Sequence, residues 1–170
     1  MRLLIDAPRI AERVEAMAAD IAAVCPRDTV MVAVMKGSMV FAADLLRAMG
    51  RAGMAPRFET LRLRSYGSGT VSSGAVELVG PVPSDIVGRP VLLVDDIADS
   101  GRSLDYARRS LLAAGATEVR ICALLDKPSR RIIDVPVEFV GFTVDDLFVV
   151  GYGIDHAEDY RYLPYVGVVE

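Results

Sequence analysis

The chain has 170 residues, 52% of them hydrophobic and 25% charged, with a net charge of −4 and two cysteines. That length supports one domain over 1–170 with its own core, and the acidic balance excludes a general nucleic-acid binder. Cys25 and Cys122 have neither zinc nor redox spacing, which points to a reducing cytoplasm, and no apolar run approaches a signal peptide or a membrane span.

Asp6 followed by Pro8 reads as a helix start, and Ile10, Val14, Met17 and Ile21 continue one apolar face, predicting a helix over 8–24. The run 29–35 is a buried strand; Lys36-Gly37-Ser38 turns the chain into a second helix that ends near Gly50. Alternation over 57–64 predicts a strand with one wet face. Residues 65–74, with three glycines and four serines, are expected to form a mobile loop that begins at Ser65 and Tyr66. A buried strand over 91–94 ends in carboxylates, a turn follows over 96–102, and a helix runs from Ser103 to its stop at Gly115. Further strands are expected over 119–125, 139–142 and 148–152. Strand and helix alternate, so the fold class is α/β, a parallel twisted sheet flanked by helices.

The stretch 91–103, VLLVDDIADSGRS, carries the most chemistry. Its strand delivers Asp95 and Asp96 to a carboxyl end, where open α/β sheets place their ligands. Adjacent carboxylates repel, and are relieved by something cationic or rich in hydroxyls, such as a ribose with bound Mg²⁺. Asp99, Ser100, Gly101, Arg102 and Ser103 then open a helix, offering amide N–H groups, hydroxyls and a dipole that suit a terminal phosphate. A solvated acidic turn with an ordinary helix cap is the plainer alternative. Among 19 basic residues only Lys36 and Lys127 are lysine, a hint that these two positions need a compact ammonium.

The segment VLLVDDIADSGRSL resembles the phosphoribosyl-pyrophosphate (PRPP) signature of type I phosphoribosyltransferases. VMKGSMVFAADLL, RSYGSGTVSSG, LLDKPSRR, VPVEFVGF and FVVGYGID, in that order, resemble the bacterial hypoxanthine branch. The resemblance implies that the sheet carries a small hood formed by terminal segments. It further implies that Asp95 and Asp96 hold the ribose hydroxyls and that Asp99 to Ser103 wrap the 5′-phosphate. The purine branch often carries Glu at the first acidic position; Asp95 is one methylene shorter. By the same resemblance Lys36, Gly37 and Arg161 face the pyrophosphate, often with a cis peptide before the lysine. Lys127 donates to the 6-oxo group of the purine, Phe148 stacks on the base and Val149 reads its edge through the main chain. Asp155, with Asp95 and Asp96, is a ligand of Mg²⁺. Taken alone, Lys36 to Ser38 also reads as a plain β-turn, Lys127 as a surface lysine and Phe148 as core.

The implied reaction moves the phosphoribosyl group of PRPP to N9 of a 6-oxopurine, hypoxanthine with guanine or xanthine as variants, and releases pyrophosphate. Asp99 is the candidate general acid/base near N7, and loop 65–74 the segment that closes over PRPP. A homo-oligomer, dimer or tetramer, is expected. His156 is expected to be peripheral. Two rivals remain in view. A signalling receiver domain also opens on paired aspartates, but the 79 residues that follow Val91 are too few for one. A phosphoribosyltransferase-like RNA-binding transcriptional regulator keeps the signature, but is disfavoured by the acidic balance.

Overall fold

The computed structural model describes residues 1–66 and 75–170. The chain runs β1 (Arg2–Ile5), α1 (Ala7–Val24), β2 (Val30–Met35), α2 (Met39–Arg51), β3 (Arg57–Tyr66) and β4 (Ala75–Leu78). It continues through β5 (Pro90–Ala98), α3 (Arg102–Ala113), β6 (Glu118–Asp126), β7 (Phe139–Thr143), β8 (Val149–Val150) and β9 (Val166–Val168).

Helix α1 begins as its sequence dictates: the Asp6 carboxylate accepts the Arg9 amide at 2.9 Å, and a proline in the first turn supplies a helical φ. Its face of Ile10, Val14, Met17 and Ile21 is buried, each large side chain contributing roughly 1.5–3 kcal/mol. Arg13 ties the same helix to the far edge of the sheet, donating to the carbonyls of Val140 and Gly141 at 2.7 and 2.9 Å.

The main sheet has the order β4-β3-β2-β5-β6-β7. Strands β3, β2, β5, β6 and β7 are parallel, and β4 is an antiparallel edge. Along β2, Met31 and Ala33 join the core beneath α1 and α2, whereas Val30 and Val32 join the core beneath α3. Both faces are covered, which is why these strands read as unbroken apolar runs. The terminal hood is a second sheet, β1-β9-β8, antiparallel throughout.

Several boundaries differ from the sequence expectation. Ser65 and Tyr66 belong to β3, paired with Val76 and Ala75 of β4, so the expected loop is shorter at its start. The remainder of that proposed lid lies outside the described residues. Strand β5 persists to Ala98 because its ladder with β6 resumes at Ile97 and Ala98, so Asp96 lies in the strand rather than in a turn. The expected strand 148–152 shrinks to β8 and joins the hood instead of the main sheet. Three short strands, β1, β4 and β9, had no expectation at all; the sheet is mixed rather than purely parallel because of β4.

Candidate active site

The chain leaves β2 toward β3 on one side, and returns as β5 on the other. Their carboxyl ends therefore flank a topological switch point, where the connections diverge and leave a crevice. Gly37, just past β2, faces Asp96 of β5 across it. A Cβ on Gly37 would stand 2.1 Å from Asp96 Oδ2, so only glycine fits beside this carboxylate. The peptide between Met35 and Lys36 is cis.

Asp95 is 9% exposed, and its Oδ1 accepts the Asp96 amide at 2.9 Å, while Asp96 Oδ1 accepts the Ile97 amide at 2.7 Å. Burial pushes both carboxyls up from the ordinary aspartate range. The shift is the larger at Asp95, which also carries the repulsion of Asp96. At Asp96 the charge of Arg161 acts in the opposite sense. The pair is an under-compensated patch of negative charge, suited to hydroxyl donors or a cation. Among the described residues no group of three or more His, Cys, Asp or Glu is placed to hold a metal.

Two adjoining clefts open here. The first, about 260 Å³, is lined by Asp95, Asp96, Asp99, Ser100, Gly101 and Ser103. Gly101 adopts φ +87° before α3, and a Cβ on it would meet the Ile133 carbonyl oxygen at 2.5 Å. That glycine permits the left-handed turn leading into α3, whose first amides have no acceptor within the helix. Arg102 contributes its backbone to this turn, its amide donating to Ser100 Oγ at 3.3 Å. Its side chain lines a separate cavity with Val76 and Tyr106.

The second cleft, about 460 Å³, is lined by Asp99, Lys127, Arg130, Phe148, Val149 and Asp155, together with Ile97, Asp146, Leu147 and Ile154. Asp99 and Ile97 belong to both clefts. Lys127 is 8% exposed, where a lysine rarely lies without a partner; its ammonium donates to the Leu147 carbonyl at 2.7 Å. Phe148 is 54% exposed at the mouth, its ring meeting that of His156 edge-on at 5.0 Å. A cleft lined by both an exposed ring and a buried ammonium can accept a flat, carbonyl-bearing heterocycle.

Lys36 and Arg161 stand together at one side. Arg161 donates to the Gly153 carbonyl at 2.7 Å and pairs with Asp155 at 3.1 Å. Lys36 Nζ is 3.0 Å from Glu158, which also approaches Arg161 at 3.5 Å. The structure thus brings the expected phosphate, base and leaving-group residues to the carboxyl-end side of the main sheet, while Arg102 lines the separate cavity.

Glu158 joins the site without a sequence expectation, its signal being a carboxylate three residues before Arg161. Arg130 does so too, spanning Asp99 at 3.1 Å and Asp146 at 3.6 Å. His156, expected to be peripheral, supports the Phe148 ring.

Comparison with known proteins gives the same outline. Residues 4–157 match the family model described as phosphoribosyl transferase domain. The chain is 45% identical over 142 residues to the hypoxanthine phosphoribosyltransferase of Escherichia coli strain K12, covering 84% of this chain and 78% of that one. It is 40% identical over 151 residues to the hypoxanthine-guanine phosphoribosyltransferase of Mycobacterium avium, covering 89% and 73%. A crystal structure of a hypoxanthine-guanine phosphoribosyltransferase from Bacillus anthracis superposes with a TM-score of 0.92 at 37% identity, covering 100% of this chain and 99% of that one. The hypoxanthine phosphoribosyltransferase of Trypanosoma cruzi, in complex with the product IMP, has a TM-score of 0.90 at 29% identity, covering 100% and 94%.

Proposed function

The chain belongs to the phosphoribosyltransferase family, and from that premise we propose that it transfers the phosphoribosyl group of PRPP to N9 of a 6-oxopurine in purine salvage. The observation that carries this reading is the pair of clefts sharing Asp99, one lined by carboxylates and hydroxyls, the other by a buried lysine and an exposed ring.

In this reading Asp95 and Asp96 accept from the ribose hydroxyls, and the turn from Asp99 to Ser103 receives the 5′-phosphate at the start of α3. Lys127 donates to the 6-oxo group, Phe148 stacks on the base and Val149 meets its edge with main-chain groups. Lys36, Gly37 and Arg161 take the pyrophosphate. The bond from C1′ to the pyrophosphate oxygen breaks, the bond from N9 to C1′ forms, and the imidazole proton of the purine passes to Asp99 near N7. Asp155 and the Asp95–Asp96 pair are the carboxylates suited to hold Mg²⁺, which when bound neutralises charge on the leaving pyrophosphate. Mg²⁺ commonly takes one or two carboxylates and completes its shell with substrate phosphates and water.

A homo-oligomer, dimer or tetramer, in the cytoplasm belongs to the same reading. It is compatible with both cysteines being free and with the lack, among the described residues, of any helix long and apolar enough to cross a membrane.

Release of pyrophosphate with hypoxanthine, guanine, xanthine, adenine and uracil in turn tests the assignment. Activity is expected on 6-oxopurines and not on adenine, because an amino group facing the Lys127 ammonium leaves buried donors unpaired, a mismatch worth about 10⁴–10⁵ in discrimination. Activity confined to adenine or uracil would overturn it.

A further inference from the structure

Glu158 lies in the tight turn 156–159, closed by His156 and Asp159 exchanging backbone hydrogen bonds at 3.1 and 3.0 Å. Ala157 and Glu158 both have positive φ, 52° and 65°, an uncommon conformation for residues other than glycine. The Asp155 carboxylate accepts the Glu158 amide at 2.9 Å, pinning the turn. The Glu158 side chain is thereby aimed at Lys36, just past the end of the interior strand β2. One of its oxygens is 3.0 Å from Lys36 Nζ and the other 3.5 Å from the Arg161 guanidinium.

We propose that Glu158 sets the affinity for the leaving group: its carboxylate sits on the same two cations that would hold pyrophosphate, so the phosphate anion binds and departs by exchange with it. This rests on the assignment of Lys36 and Arg161 to the leaving-group side. The chemistry suits such a role. A carboxylate offers two oxygens and one charge to donors that a pyrophosphate would meet with more of both. The side chains of Lys36 and Glu158 are 51% and 67% exposed, so water screens their attraction and the contact yields readily. As pyrophosphate leaves, Glu158 returns to Lys36 and competes with product rebinding.

Glu158→Gln keeps the size of the side chain and the turn's backbone hydrogen bonds, and removes the charge. The inhibition constant of pyrophosphate against PRPP is expected to fall about two- to five-fold, the scale of an exposed ion pair, with a similar fall in KM for PRPP. Titration calorimetry of magnesium pyrophosphate into the full chain should give the same factor. Asp159→Asn is the control. It removes the same charge one residue away, where Asp159 Oδ1 instead accepts the Tyr160 amide at 2.7 Å, and is expected to leave pyrophosphate affinity unchanged. Equal affinity in Glu158→Gln and the parent chain overturns the proposal, as does equal tightening in Asp159→Asn. If the parent chain binds no pyrophosphate, the leaving-group assignment itself fails and the role of Glu158 falls with it.

Discussion

Asp95 is the residue where the demands of folding and of the site conflict most openly. It is delivered by a buried strand into a position 9% exposed, beside a second carboxylate. Burial and the charge of Asp96 favour its protonated form in the folded chain, so its pKa rises on folding. The sign follows from linkage. The folded state holds the proton more tightly than the unfolded one, so stability is fully present below the ordinary carboxylate range near pH 4 and is lost as pH rises through the raised value. Asp95→Asn removes that loss. In buffer free of divalent metal it is expected to melt above the parent chain at pH 8, the gap closing as the pH is lowered toward 4, while PRPP-dependent turnover falls. Thermal melts across that range check it; a variant less stable than the parent at pH 8 would refute the conflict. Gly37 shows the same economy in reverse, since the lack of a side chain there is what admits the Asp96 carboxylate.

The turn from β5 into α3 concentrates the phosphate-binding reading in five residues, and Gly101 is its pivot. Gly101→Ala places a methyl in a left-handed conformation, and against the Ile133 carbonyl oxygen at 2.5 Å. Left-handed strain at a non-glycine residue costs roughly 1–3 kcal/mol, and the clash adds to it. A lowered melting temperature with a raised KM for PRPP is expected; an unchanged KM would detach this turn from the phosphate. Such local features were legible in the sequence because they depend on neighbours along the chain. The cap at Asp6, the apolar face of α1, and the strand-to-helix order around Asp95 and Asp99 all follow from short-range pattern. What escaped depends on distant partners. Strands β1 and β9 are short and pair residues more than 160 positions apart, Arg2 with Val168. Glu158 acquires meaning only because the fold brings it to Lys36, 122 positions away. The extension of β5 to Ala98 likewise reflects its ladder with β6, which no local rule reports.

At the scale of the molecule, the hood and the main sheet are locked around the clefts by contacts between distant segments. Tyr152, at positive φ between two glycines that also have positive φ, donates its hydroxyl to the Asp44 carboxylate on α2. A Cβ on Gly153 would meet the Gly37 carbonyl oxygen at 2.7 Å, so this part of the hood rests directly on the turn after β2. A ligand that touches the carboxyl end of β5, the start of α3 and the hood together therefore binds only the folded arrangement. At a hundred times its dissociation constant, such a ligand adds about 2.7 kcal/mol of stability. For a chain of this size that is a rise in melting temperature of roughly 5–11 °C. PRPP with Mg²⁺ is expected to give that rise, and single-stranded RNA at physiological salt none. The charge distribution gives the reason. A net charge of −4 opposes a polyanion laid across the surface. In the proposed function a small anion accompanied by Mg²⁺ meets instead a local site with Lys36, Arg161 and the start of α3. Stabilisation by RNA without any by PRPP would make the chain a regulator that has kept the signature and lost the chemistry.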